Sequence, residues 1–92
     1  MADIAKHITF SGRVQGVYYR YSTQQEVKRL GLTGWVRNLP GGNVEAVVEG
    51  DEAIVEQMIE WCRQGPAGAA VREIEQTLTE ASGEFEGFEI RY

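Results

Sequence analysis

Between Ser11 and Arg20 the chain reads SGRVQGVYYR, a run whose residue types suit the capture of an anion. Gly12 and Gly16 bracket a short loop that holds Arg13, and the loop closes on Arg20 in the first turn of a helical pattern. Glycine admits positive φ, so several backbone N–H groups can turn toward one point, and a helix N-terminus presents further unpaired N–H groups. An arginine beside them adds a planar fork that matches two phosphate oxygens. Taken alone, the same run also fits an ordinary strand-to-helix connection with glycines for the turn and surface arginines. It lacks the Gly-Lys-Ser/Thr ending of a Walker A loop and is not Gly-x-Gly-x-x-Gly, so it supports neither nucleoside-triphosphate nor dinucleotide binding.

Other routes to catalysis have little to work with. The single histidine, His7, lies in a strand pattern, and the single cysteine, Cys62, lies on an apolar helical stripe and reads as core. One histidine with no spaced serine and acid gives no nucleophilic triad. Carboxylates crowd the second half of the chain but none falls in the loop, so a metal site or an acid pair has no anchor there. An enzyme built on this loop must work by positioning and electrostatics.

At 92 residues with 42% apolar and 25% charged residues, the sequence fits one soluble domain over residues 1–92. The net charge of -5 argues against nucleic acid as the main partner. Six of the nine basic residues (Lys6, Arg13, Arg20, Lys28, Arg29 and Arg37) fall in the first 37 positions, against Asp3 and Glu26 as the only acids there. The loop therefore sits in the positive half. A lone cysteine leaves no intramolecular disulfide and suits a reducing compartment. Asp3 and the absence of a long apolar run at the start indicate neither a signal peptide nor a membrane span, which makes the cytoplasm the expected location.

The elements that position the loop follow from periodicity. Ile4, Lys6, Ile8 and Phe10 alternate with Ala5, His7, Thr9 and Ser11, which predicts a strand of about seven or eight residues that ends where Gly12 begins the loop. Tyr19, Thr23, Val27 and Leu30 form a helical stripe with Gly31 as its C-cap. Thr23 with Glu26 also resembles a capping box, which would start the helix later; the earlier start is preferred because it places Arg20 in the first turn. Residues 33–39 and 43–50 read as two strands joined by a Pro40-Gly41-Gly42 hairpin, with Val44, Ala46 and Val48 on one face. Asp51 is an N-cap for a helix whose stripe is Val55, Met58, Ile59 and Cys62 and which ends at Gly65 and Pro66. A strand over 71–79 sets Ile74 and Leu78 on one face, and Phe88, Ile90 and Tyr92 can add a short fifth strand at the sheet edge, with 82–87 as the link.

The order βαββαβ predicts an α+β, ferredoxin-like sandwich: an antiparallel sheet with two helices on one face and the first and third strands adjacent in its middle. If the second strand is antiparallel to the third, it runs in the direction of the first. Asn38 then ends near the rim that carries the loop.

The run GRVQGVYYR (12–20) followed by LGLTGWVRNLPGG (30–42) resembles the acylphosphatase family, whose signature joins a GxVQGVxxR loop to a GxxxN strand. The similarity extends through QGPAGAAV (64–71) and GEFEGFEIRY (83–92). It implies hydrolysis of the carboxyl-phosphate bond of small-molecule acyl phosphates by a monomer, with no metal or cofactor and no membrane or nucleic-acid partner. By the same resemblance Arg20 is the phosphate-binding arginine and Asn38 positions the attacking water. The backbone N–H groups of Gln15, Gly16, Val17, Tyr18 and Tyr19 complete the cradle. Tyr18 and Tyr19 stand where members often carry glycine and phenylalanine or another aromatic; Tyr19 is expected to pack inward and Tyr18 to border the cradle. Arg13 and Arg37 read as solvated charge, Trp35 as a packing residue on the sheet, and Thr23 as a capping residue or a hydroxyl near the site. Two alternatives stand beside this one: a noncatalytic anion-binding module of the same fold, and, more weakly, an RNA-binding sheet, which would need a basic face and exposed aromatics on the central strands.

Overall fold

The alternation that begins at Ile4 builds an interior strand of the sheet. In a computed structural model of the chain, which describes residues 3–16, 19–66 and 68–91, the elements are β1 (Asp3–Arg13), α1 (Tyr19–Leu30), β2 (Thr33–Asn38), β3 (Val44–Asp51), α2 (Glu52–Gln64), β4 (Ala70–Glu80) and β5 (Phe88–Arg91). Among the described residues the strands form one sheet in the order β4-β1-β3-β2-β5. β1 pairs antiparallel with β3 and β4, β2 pairs antiparallel with β3, and β5 pairs parallel with β2 at the outer edge. The first and third strands are therefore neighbours, and β2 runs in the direction of β1, as expected. Among the described residues no helix is long and apolar enough to cross a membrane.

One face of the sheet carries both helices. Ile8, Phe10, Val36, Val44, Ala46 and Val48 meet Val27 of α1 and Val55, Met58, Ile59 and Cys62 of α2 in a single core, all of them 1% exposed or less. Burial of a side chain of this size contributes roughly 1.5–3 kcal/mol, so this cluster is what holds the layers together. Both helices start where their sequences direct. α1 opens at Tyr19, not at Thr23, because Tyr19, Thr23 and Val27 are all buried on its inner face. α2 is capped by Asp51, whose carboxylate accepts from the Ala53 and Ile54 N–H groups. The Thr23 hydroxyl is wholly buried and is left without a hydrogen-bond partner, so it neither caps α1 nor lines the site.

One detail departs from the sequence-based expectation. β1 does not end at Gly12: it continues to Arg13 across a bulge between Ser11 and Gly12, with Gly12 opposite Val71 and Arg13 opposite Ala70. At φ +112° a Cβ on Gly12 would lie 2.2 Å from the Ala70 carbonyl oxygen, so the bare backbone is what lets β4 follow β1 that far. Leu78 shares the helix-side face with Ile74, yet it is 61% exposed because it lies at the open edge of the sheet.

The other face of the sheet is open and polar. Trp35 lies there between the guanidinium groups of Arg37 and Arg91, 5.4 and 4.9 Å from its ring centroid. Arg37 and His7 both reach the Glu45 carboxylate at 2.6 Å. Burial pushes the Glu45 carboxyl upward, but the His7 and Arg37 contacts outweigh it and hold the carboxyl below its usual range. Nearby, Glu49 fixes the β4–β5 link: its carboxylate, on a residue only 5% exposed, accepts from the Ser82 N–H, the Ser82 hydroxyl and the Gly83 N–H. Burial again works upward on Glu49, and these three donors outweigh it and lower its pKa. A group with a depressed folded pKa contributes stability that is complete above its unfolded value and is lost as pH falls through the folded one. Glu49→Gln should therefore be less stable by about 1–3 kcal/mol near neutral pH, and the gap should narrow as pH falls below the ordinary 4.5. Urea melts across that range check this; parallel pH profiles for the two proteins would contradict it.

Candidate active site

The loop after β1 and the turn after β2 are joined by one side chain. Gln15 Nε2 donates to the carbonyl oxygens of Leu39 and Asn43 at 2.9 and 2.8 Å. Carbonyls only accept, so the amide nitrogen of Gln15 is fixed facing them. The turn is closed by its own backbone bond, Leu39 N–H to the Asn43 oxygen at 2.8 Å. Asn38, the last residue of β2, stands beside this bridge and is paired in register with Val44. The loop and the asparagine thus share a rim because β1 and β2 run the same way, and Gln15 sets their spacing.

On the helix side, Tyr19 anchors the first turn of α1. Its side chain is 1% exposed, its ring lies against Phe10 and Trp61, and its hydroxyl donates to the Cys62 carbonyl oxygen at 2.8 Å. Burial drives the phenol pKa far upward, with Cys62 adding to the effect. Tyr19 therefore packs inward as expected. Burial also pushes the Cys62 thiol up to about 12, against the hydrogen-bonding influence of Tyr19, so the thiol is no nucleophile at neutral pH. Arg20 follows Tyr19 on the half-buried side of the same turn.

Between these elements opens a cleft of about 470 Å³. Gln15, Gly16, Arg20 and Asn38 supply its polar lining, and Val14, Tyr19, Tyr21 and Ile90 its apolar lining. Gly16, at φ +75°, takes the left-handed conformation that its place in the loop requires. Among the described lining residues Arg20 alone carries a formal charge, and none is a carboxylate. The expected Arg20, Asn38, Gln15, Gly16 and Tyr19 are brought together here. Val17 and Tyr18 lie outside the described residues. Arg13 is exposed at the end of β1, and Arg37 is engaged with Glu45 on the open face; neither lines the cleft.

A family model described as acylphosphatase matches residues 6–90. The chain belongs to the acylphosphatase family. An Aeropyrum pernix acylphosphatase is 54% identical over 90 residues, spanning 97% of this chain and 89% of the relative. Among solved structures, an acylphosphatase from Coxiella burnetii is 36% identical with a TM-score of 0.93, covering 98% of this chain and 94% of its own. The acylphosphatase from Bacillus subtilis is 34% identical with a TM-score of 0.93, over 97% and 99% of the two chains. These likenesses extend over both layers of the sandwich and over the rim that carries the cleft.

Sequence patterns missed three contributors to this site. Gln15 was expected to offer a backbone N–H, whereas its side chain is the strut between loop and turn. Tyr21 lies off the buried stripe of α1, and Ile90 lies on the edge strand, so neither carried a signal of its own. Gln15→Ala should cost about 1–2 kcal/mol in stability from the two lost hydrogen bonds and should lower kcat by loosening Asn38 relative to the loop. Gln15→Glu should do more, because a carboxylate would face two carbonyl oxygens. Denaturation midpoints and steady-state turnover of an acyl phosphate check both; a Gln15→Ala enzyme with unchanged kcat would show that the strut is dispensable.

Proposed function

We propose that this chain hydrolyses the carboxyl-phosphate bond of acyl phosphates without a metal or cofactor, with Arg20 and the loop backbone holding the phosphoryl group and Asn38 orienting the attacking water. Membership of the acylphosphatase family makes it an enzyme that acts on acyl phosphates. The observation that supports the finer assignment is the shared cleft: Arg20 and Asn38, from separate elements, line one opening beside the Gly16 loop.

The chemistry asks little of side-chain acids and bases. The leaving group is a stable carboxylate, so no strong general acid is needed. Water oxygen forms a bond to phosphorus as the bond from phosphorus to the acyl oxygen breaks, and the products are carboxylate and inorganic phosphate. The arginine fork and the N–H groups of the loop bind the equatorial oxygens and stabilise charge in a loose transition state. The Asn38 amide accepts from and donates to a water without deprotonating it, and the water's proton passes to the phosphate itself. The acid-poor lining of the cleft agrees with this division of labour.

Benzoyl phosphate hydrolysis in the presence of a chelator is the direct test. Arg20→Lys should weaken inorganic phosphate binding severely, because a point charge replaces a bidentate fork. Asn38→Ala should lose about 100-fold or more in kcat, on the scale of removing one oriented polar group from a transition state, while keeping phosphate affinity. Equal turnover by Asn38→Ala and the parent would refute the water-positioning role. Phosphate binding without any turnover by the parent would make the chain an anion-binding relative.

No side chain changes protonation in this cycle, so kcat should vary little between about pH 5 and 7. His7 is held by Glu45 on the open face of the sheet and does not line the cleft. A steep histidine-like limb in the kcat profile would overturn that assignment.

A further inference from the structure

The cleft is larger than a phosphoryl group needs, and its apolar lining has no part in the chemistry above. Tyr21 and Ile90 belong to that lining, in the same cleft as Arg20 and Asn38. Tyr21 is 57% exposed, one of two large apolar or aromatic side chains with that much exposure among the described residues, and the other, Leu78, lies in a separate pocket by the β4 edge. Ile90 pairs in register with the buried Val36, so its side chain shares the helix-side face and is partly covered by the core.

The elements that carry the two residues are tied together. Gln24, one turn along α1 from Arg20 and Tyr21, donates its side-chain N–H to the Phe88 carbonyl oxygen at 2.9 Å, which ties the helix to β5 beside Ile90. α1 is further fixed by the buried Tyr19, Thr23 and Val27. An aromatic ring and a branched aliphatic chain thus form a preset apolar wall next to the anion-binding residues.

We propose that this wall is the acyl subsite: the acyl group of the substrate lies against Tyr21 and Ile90, so aromatic and bulky aliphatic acyl phosphates are favoured over acetyl- or carbamoyl-sized ones. This inference rests on the reading that the phosphoryl group occupies the Arg20 and Asn38 end. It follows from the ordinary physics of such sites, in which apolar walls select by area while a few polar groups fix orientation.

The test uses two nonhydrolysable analogues in which CH2 replaces the bridging oxygen: 2-oxo-2-phenylethylphosphonate, with a phenyl acyl group, and 2-oxopropylphosphonate, with a methyl one. Their dissociation constants are measured by calorimetry for the parent, Tyr21→Ala and Tyr21→Phe. The parent should bind the phenyl analogue more tightly. Tyr21→Ala should reduce that preference about fivefold, the loss expected when one face of an open apolar site is removed, and Tyr21→Phe should retain it. In turnover, Tyr21→Ala should raise KM for benzoyl phosphate with little change in kcat. An unchanged preference in Tyr21→Ala, or an equal loss of affinity for both analogues, would overturn the proposal. Tyr21 is exposed on its helix, so alanine there should fold normally. Because the analogue ratio is read without turnover, it separates failure of the acyl subsite from failure of the hydrolytic assignment.

Discussion

The antiparallel pairing of β1 with β3 is the constraint on which the rest of this molecule depends. It sets β1 beside β3, the middle strand of the sheet, and with β2 antiparallel to β3 on its far side β1 and β2 must run the same way. Their C-terminal ends then share a rim. The Gly16 loop leaves one of these ends and Asn38 closes the other, so two pieces of the site that are far apart in sequence become neighbours through strand direction alone. Gln15 converts that proximity into a fixed distance by bonding two carbonyls of the β2–β3 turn.

Packing supplies the rigidity that an electrostatic site requires. The proposed cradle of N–H groups and one arginine would stabilise developing charge well only if it does not have to reorganise. Tyr19 meets that need from below: the residue next to Arg20 is buried, packed at a tilt against Phe10 and hydrogen-bonded to the backbone of α2. The first turn of α1 is therefore part of the core on one side and part of the cleft on the other. Polar clusters on the open face, around Glu45 and Glu49, serve the sheet and its β4–β5 link and are remote in role from this chemistry.

Much of this architecture was legible in the sequence because its signals are local. The alternation from Ile4 to Phe10, the stripe of Val55, Met58, Ile59 and Cys62 and the Asp51 cap each depend on neighbours within a few positions, and each appears where its pattern puts it. The acylphosphatase signature likewise pointed to the family that the comparisons show. Nonlocal facts were not legible. The extension of β1 through Arg13 depends on a partner strand near the other end of the chain. A glutamate in a strand reads as solvent-facing, and nothing near Glu49 in sequence announces that Ser82 and Gly83 will bury it. Gln15 gave no hint of a side-chain role, since its acceptors lie 24 and 28 residues away. Tyr21 was silent for a related reason: an aromatic residue off the buried stripe of a helix looks like surface until β5 is seen beside it.

The central claim is that Arg20, the loop backbone and Asn38 form one phosphate site. Titrating the 15N-labelled protein with inorganic phosphate tests it most directly. Saturable shifts are expected in the backbone amides of Gln15, Gly16, Tyr19 and Arg20 and in the side-chain amide of Asn38, all following one binding curve. Shifts centred instead on His7, Trp35 and Arg37, across the sheet on the open face, would contradict it.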